Sequence, residues 1–279
     1  MPELPEVETV RRGLEPRMVG RTLERVEILD GRLTAPDDPM MIGMELDGDR
    51  VTAIGRRGKY LLIALESGRT LVVHLRMTGW FHHRAPGAGD PDVRHLRARI
   101  ALDDGALLLY SDQRRFGTMR LIEPGCLNDY LSRRAGPEPL SPEWTWQRLR
   151  SAIAGRTAPI KATLLNQRVV AGVGNIYADE ALWEARIHPE RLAGSLRVAE
   201  IKRLHAAVIA VLERGIAAQG ASIRDYRGVD GQAGSMQERF NAYDRQDEPC
   251  PRCGHPIRKI RVAQRGTYYC PHCTHQPRR

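Results

Sequence analysis

Cys250-Pro251-Arg252-Cys253 and Cys270-Pro271-His272-Cys273 bracket sixteen residues near the end of a 279-residue chain. Each Cys-x2-Cys step places two thiolates on one tight turn, and two such turns meet as a tetrahedral four-thiolate zinc site. The interval suits a β-hairpin. Ile257 to Val262 alternates, Gln264-Arg265-Gly266-Thr267 can turn, and Tyr268-Tyr269-Cys270 returns. Four cysteines close the coordination shell, so one structural Zn2+ is expected, holding up a hairpin whose tip carries Arg265. Disulfides are the competing reading. They are set aside because the start is acidic within three residues and lacks the apolar stretch of a secretory signal. With four cysteines available, His255, His272 and His275 read as surface residues. Cys126, alone after Pro124-Gly125, reads as an ordinary half-buried thiol.

Charge gathers around the same module. Lys and Arg total 43 against 34 Asp and Glu, a net charge of +9. From Cys250 to Arg279 there are seven basic residues (Arg252, Arg258, Lys259, Arg261, Arg265, Arg278 and Arg279) and no acidic one. A basic surface in a compact module seeks a polyanion, nucleic acid before membrane. An apolar content of 42% supports real cores. No apolar run approaches the ~20 residues that span a bilayer, so a soluble cytoplasmic protein is expected.

Upstream, residues 2–130 read as a β-sandwich preceded by a helix. Val7, Val10 and Leu14 mark one helical face. Arg25–Leu29 runs into Asp30-Gly31, Tyr60–Leu65 and Leu71–Leu75 flank Ser67-Gly68, and Arg99–Leu102 and Leu107–Tyr110 flank Asp104-Gly105. Short strands between such turns argue for a sandwich or barrel. Gly136-Pro137-Glu138-Pro139 sits in a linker at 131–143. A helical domain follows at 144–240, where Ser195 can cap a long helix with the face Val198, Ile201, Leu204, Val208, Val211 and Leu212, ending near Gly220. The finger domain takes 241–279. The fold class is α+β and multidomain.

Three segments carry chemistry. Trimming of Met1 would leave Pro2 with a free secondary amine beside the carboxylate of Glu3. A terminal amine titrates near ~8 and a lysine near ~10.4, so at neutral pH the terminus is far richer in nucleophile. Such an amine forms Schiff bases with carbonyl carbons, and the carboxylate can move the protons. The plain alternative is that this is merely how the chain begins. Asp112-Gln113-Arg114-Arg115-Phe116-Gly117 sets two arginines beside an aromatic, suiting a loop that grips phosphates and wedges between bases. The alternative there is a buried Phe116 with solvated arginines. Gly172-Val173-Gly174-Asn175 places glycines before a helix start, where backbone amides can hold a phosphate or simply make a turn.

Together these motifs resemble the formamidopyrimidine-DNA glycosylase family along essentially the whole chain. The resemblance rests on Pro2-Glu3-Leu4-Pro5-Glu6-Val7-Glu8-Thr9, Gly58-Lys59-Tyr60-Leu61, Met77-Thr78-Gly79 and Arg114-Arg115-Phe116-Gly117. It continues through Gly136-Pro137-Glu138-Pro139-Leu140, Gly172–Tyr177 and the four-cysteine finger. It implies a β-sandwich, a helix-two-turn-helix domain and a zinc-finger hairpin, with damaged double-stranded DNA in the cleft between the domains, acted on by a monomer. It further implies that Pro2 attacks C1′ of a flipped nucleotide, that Glu3 handles protons, and that β,δ-elimination cuts the strand. Lys59 resembles an active-site lysine, and Arg265 an arginine that clamps phosphates at the lesion. Met77, Arg114 and Phe116 resemble the residues that fill the gap left by the flipped base. His95, Arg115, Arg156, Lys161 and Asn175 match phosphate contacts.

The sequence departs from the common pattern at Arg76, Gln113 and Asp244, and at Ser235-Met236-Gln237 within the segment from Asp225 to Phe240 that resembles a loop capping the extruded base. Leu4 resembles the purine-excising branch. Two other readings stay open at this point: endonuclease VIII-like excision of oxidised pyrimidines, and a non-catalytic zinc-ribbon protein that only binds damage.

Overall fold

A computed structural model describes residues 1–88, 93–223 and 226–274. His275, Arg278, Arg279 and Asp225, named above, lie outside the described residues. The chain divides into two compact units, Met1–Ser132 with Ala218–Ser235, and Arg133–Ala217 with Met236–Arg279.

The first unit opens with α1 (Leu4–Met18), whose start is fixed by a capping box. The Glu3 side chain accepts from the Glu6 amide, and the Glu6 side chain accepts from the Glu3 amide. Val7, Val10, Leu14 and Met18 face inward at helical spacing, each burial worth about 1.5–3 kcal/mol. Two antiparallel four-stranded sheets share this core. One has the order β1 (Leu23–Ile28), β6 (Leu96–Leu102), β7 (Leu107–Asp112), β5 (Gly79–Arg84). The other runs β2 (Val51–Arg57), β3 (Tyr60–Leu65), β4 (Thr70–His74), β8 (Thr118–Ile122). Alternating β3 puts Leu61, Ile63 and Leu65 into the same apolar cluster as Phe81, Ile100 and Leu108 of the facing sheet. The sandwich expected from the turn spacing is thus present.

Strands β2, β5 and β8 went unread because arginine and histidine break their apolar alternation. Helix α2 (Pro39–Leu46) was also missed, although its signal was legible: Asp38 caps it, accepting from the Met40 amide at 2.8 Å, and Pro39 takes the first turn. α3 (Leu127–Ser132) closes this stretch, and Cys126 before it is exposed, not half-buried. The segment Ala218–Ser235 packs on the first unit through Val229, which joins its core, and through Trp80 Nε1 donating to the Gly228 carbonyl at 3.0 Å.

The second unit holds α4 (Trp146–Ile153), α5 (Ile160–Leu165), α6 (Asn175–Ala185) and α7 (Val198–Ala217). α7 buries the face read from the sequence, but Ser195 does not cap it. The Ser195 hydroxyl accepts from Arg191 and donates to the Leu192 carbonyl, and Glu200 receives the Arg197 amide at 2.8 Å instead. The finger hairpin pairs β9 (Arg258–Val262) with β10 (Arg265–Tyr269). Its turn centres on Ala263-Gln264, both left-handed (φ 46° and 62°), two residues earlier than the Arg265-Gly266 centre expected. Two left-handed residues make the tight turn whose twist matches the strands. Gly266 therefore lies in β10, and Arg265 flanks the turn opposite Val262.

His74, at the buried end of β4, accepts the Arg76 amide on Nδ1 at 3.0 Å. Burial, then the charges of Arg76 and Lys59, push its pKa down to about 3. The unfolded chain binds that proton below about 6.5 and the folded chain does not, so stability is full above pH 6.5 and falls as pH drops toward 3. Acidification to pH 5 is expected to cost about 2 kcal/mol through this residue. Denaturant titrations at pH 7.5 and 5.0 should show the loss, and His74→Asn, which keeps an acceptor in place, should flatten it.

Candidate functional site

In the first unit the chain terminus is fixed, not frayed. Pro2 and Glu3 are buried although Met1 before them is exposed. Glu3 N–H donates to Glu6 Oε2 at 2.8 Å, and Glu6 Oε1 accepts the Ala221 amide at 2.8 Å. Tyr226 adds its hydroxyl to the Glu6 carbonyl at 3.2 Å. Pro2 and a carboxylate thus sit at the mouth of a helix start, where the amide dipoles favour negative charge. Lys59 sits in the turn just before β3, is buried, and lies close enough to His74 for its charge to depress that imidazole. The neutral ring cannot compete with the ammonium for an anion.

The structure brings Met77, Arg114 and Phe116 together. Arg114 Nη1 lies 2.9 Å from the Met77 sulfur, and its guanidinium carbon stands 4.7 Å over the Phe116 ring. Phe116 is 51% exposed and Met77 39%, which removes the reading of a buried Phe116. Asp112 builds the loop. Its carboxylate accepts from the Thr78 hydroxyl, from the Arg114 amide at 3.2 Å and from the Gly117 amide at 2.7 Å. Arg115, left-handed at φ 57°, pairs with Asp30 at 3.2 Å, and the His95 carbonyl accepts the Asp112 amide at 3.0 Å. Sequence reasoning missed Asp112 and Glu6. Their signals were an aspartate closing a strand before a turn, and a Glu-x-x-Glu box at a helix start.

In the second unit, Gln167 shapes the glycine turn before α6. Its Nε2 donates to the Leu165 and Val173 carbonyls at 3.0 and 2.8 Å, and its Oε1 accepts the Gly172 amide at 2.9 Å. Asn175 opens α6, with Nδ2 donating to the Gly266 carbonyl at 3.0 Å. Its Oδ1 is buried and accepts no hydrogen bond among the described residues. Arg156 and Arg265 are exposed.

The phosphate contact expected of Lys161 is not what the structure gives it. Its ammonium is fully buried and meets Asp179 at 2.7 Å, the Thr267 hydroxyl at 2.8 Å and the Gly266 carbonyl at 2.9 Å. An ammonium has three protons, and these oxygens take all of them. Burial pushes the Asp179 carboxyl up to about 7, against the pull of Lys161 and the Tyr268 amide. Lys161 therefore pins β10 to the helices.

The four finger cysteines meet. Cys250 and Cys273 sulfurs are 3.9 Å apart, Cys253 and Cys270 3.4 Å, and all four lie within 4.8 Å of one another. Tetrahedral Zn–S bonds near 2.3 Å place thiolates about 3.8 Å apart, whereas disulfide sulfurs approach to about 2.05 Å. The set fits one zinc ion with no coordination position left over. Trp183 Nε1 donates to the Cys250 sulfur at 3.4 Å, tying the site to α6.

Three family models cover most of the chain. Residues 1–119 match the formamidopyrimidine-DNA glycosylase N-terminal domain, 135–227 its H2TH domain, and 247–276 a zinc finger found in FPG and IleRS. The chain belongs to the formamidopyrimidine-DNA glycosylase family. The formamidopyrimidine-DNA glycosylase of Symbiobacterium thermophilum is 52% identical over 99% of this chain and 90% of that protein. That of Chloroflexus aggregans is 47% identical over 98% of each. Among solved structures, Lactococcus lactis Fpg in complex with DNA containing an abasic site has a TM-score of 0.91 at 38% identity, covering 98% of this chain and all of that one. MutM in complex with DNA containing carbocyclic 8-oxo-G has a TM-score of 0.89 at 39% identity, covering 99% and 100%. No helix of the described residues is long and apolar enough to cross a membrane.

Two outcomes follow from these contacts. A Cβ at Gly117 would stand 2.0 Å from the Tyr110 hydroxyl oxygen, which has no hydrogen-bond partner among the described residues. Gly117→Ala is expected to lower the unfolding free energy by about 1–3 kcal/mol, and Tyr110→Phe in the same chain to return part of it. Elemental analysis of the purified protein should find one zinc per chain. Cys270→Ser should lose that metal and, with it, the protection of the hairpin amides from hydrogen exchange.

Proposed function

We propose that this protein is a bifunctional DNA glycosylase and AP lyase that excises oxidised purines, 8-oxoguanine and formamidopyrimidines, from duplex DNA. The observation that carries the reading is the fixed terminus: Pro2 and Glu3 are buried, and Glu3 is hydrogen-bonded to Glu6, where a chain end ordinarily frays. The extensive identity to formamidopyrimidine-DNA glycosylases supplies the substrate class.

With Met1 removed, the Pro2 nitrogen is a secondary amine. It attacks C1′ of the flipped nucleotide, the C1′–N bond breaks, and the base leaves with a proton. Glu3 moves protons at the sugar ring as it opens to an iminium. The iminium acidifies the 2′-hydrogen, so the 3′-phosphate departs by β-elimination and the 5′-phosphate by δ-elimination. Lys59 is the active-site lysine serving phosphate or proton, and Arg265 clamps phosphates at the lesion. Met77, Arg114 and Phe116 fill the gap in the stack, Arg114 facing the O2 and N3 acceptors of the orphaned cytosine. His95, Arg115, Arg156 and Asn175 hold the backbone, which fixes register and carries little sequence information.

Catalysis falls to residues 2–130, joined by the 131–143 linker to a DNA-holding domain at 144–240 and the finger at 241–279. The enzyme works as a cytoplasmic monomer. Zinc, held by the four cysteines, supplies no step of the reaction.

Borohydride should trap a covalent adduct between the Met1-trimmed protein and duplex DNA carrying 8-oxoguanine opposite cytosine. Protein that retains Met1, verified by intact mass, should neither trap nor cleave. Equal trapping by Pro2→Gly would remove the nucleophile assignment. Faster excision of thymine glycol than of 8-oxoguanine would move the substrate to oxidised pyrimidines.

A further inference from the structure

Of the exposed thioethers in the first unit after Met1, one is in contact with the loop that carries Arg114 and Phe116. Met40, Met41 and Met44 stand on the outer face of α2, exposed to solvent. Met77 is also exposed, and its sulfur lies 2.9 Å from Arg114 Nη1. The arginine is delivered there by its own backbone, whose amide is bound to the Thr78 hydroxyl at 3.0 Å and to Asp112 at 3.2 Å. Its guanidinium touches both the Met77 sulfur and the Phe116 ring.

A thioether is a weak acceptor, so this contact leaves the guanidinium available to a better partner. A sulfoxide oxygen is a strong acceptor, and a bond from a cationic donor to it is of the stronger, charge-assisted kind. Oxidation also turns a flexible apolar side chain into a polar, chiral one. Both changes act on the same three residues.

We propose that Met77 is a reversible oxidation site whose sulfoxide captures Arg114 and disables the wedge. A hydroperoxide is the oxidant. Its O–O bond breaks, one oxygen bonds to the Met77 sulfur, the sulfur loses two electrons, and the peroxide is reduced to water or an alcohol. Methionine sulfoxide reductases reverse the step with electrons from thiols, releasing the oxygen as water. An enzyme whose substrate is made by oxidants then carries, at the residue that probes the stack, a group that the same oxidants modify. The inference rests on the wedge role proposed for Met77, Arg114 and Phe116.

The test uses the zinc-loaded full chain, trimmed of Met1 and treated with hydrogen peroxide at a dose that oxidises Met44 by peptide mass mapping. The Met77 peptide should gain one oxygen. Excision of 8-oxoguanine should fall about tenfold, with zinc content unchanged, and a mixture of the two methionine sulfoxide reductases should restore it. A Met40→Leu, Met41→Leu, Met44→Leu protein should lose as much as the parent. Met77→Leu, compared only with its own untreated rate, should lose less than about twofold. An unoxidised Met77, an equal loss in Met77→Leu, or no recovery with the reductases overturns the proposal. Untreated Met77→Ala and Phe116→Ala test the wedge itself: full excision by both would end that reading, whatever the treated ratios show.

Discussion

Glu6 carries a carboxylate buried where water cannot reach it, and a group so placed needs hydrogen-bond donors in fixed positions. It finds them at both ends of the first unit's sequence, the Glu3 amide and the Ala221 amide. Gly220 makes the second approach possible: it is left-handed at φ 80°, and a Cβ there would meet the Glu6 Cγ at 2.8 Å. Through this one group the start of α1, the buried Pro2 beside it and the returning segment Ala218–Ser235 become parts of one packed object. The nucleophile proposed at Pro2 requires that constraint, because positional error of an ångström is costly in catalysis.

A second carboxylate does comparable work beneath the exposed cluster of Met77, Arg114 and Phe116. Asp112 receives three donors from the loop it begins, and the loop lies so close to Tyr110 that neither Gly79 nor Gly117 has room for a side chain. The exposed tip of Met77, Arg114 and Phe116 therefore stands on a tightly packed base. An aromatic projected into solvent is tolerable only because the backbone beneath it is held by these bonds and not by its own burial.

Much of this was legible in the sequence, for physical reasons that differ by element. The finger was legible because metal ligands impose spacing that little else produces, and the sulfur separations agree with it. The face of α7 and strand β3 were legible because one side of each meets only protein, so the apolar period survives. Strands β2, β5 and β8 were hidden because arginines and histidines occupy positions that are half-buried. Lys161 shows the limit most plainly. The family resemblance makes Lys161 a phosphate contact, and only its oxygen partners, Asp179 in α6 and two more than one hundred residues away in β10, show it to be internal. The hairpin turn misled through the opposite habit, a preference for glycine where Ala263 and Gln264 take the left-handed backbone themselves.

The returning segment also sets a timetable. Val229 fills the core against α1, and Gly13 leaves just enough space for it. During synthesis, Met1–Ser132 emerges long before Ala218–Ser235, by roughly 5–20 s at ordinary elongation rates. Throughout that interval the sandwich lacks Val229, and Glu6 lacks the Ala221 amide. The end of the chain that leaves the ribosome first is thus among the last parts to be locked.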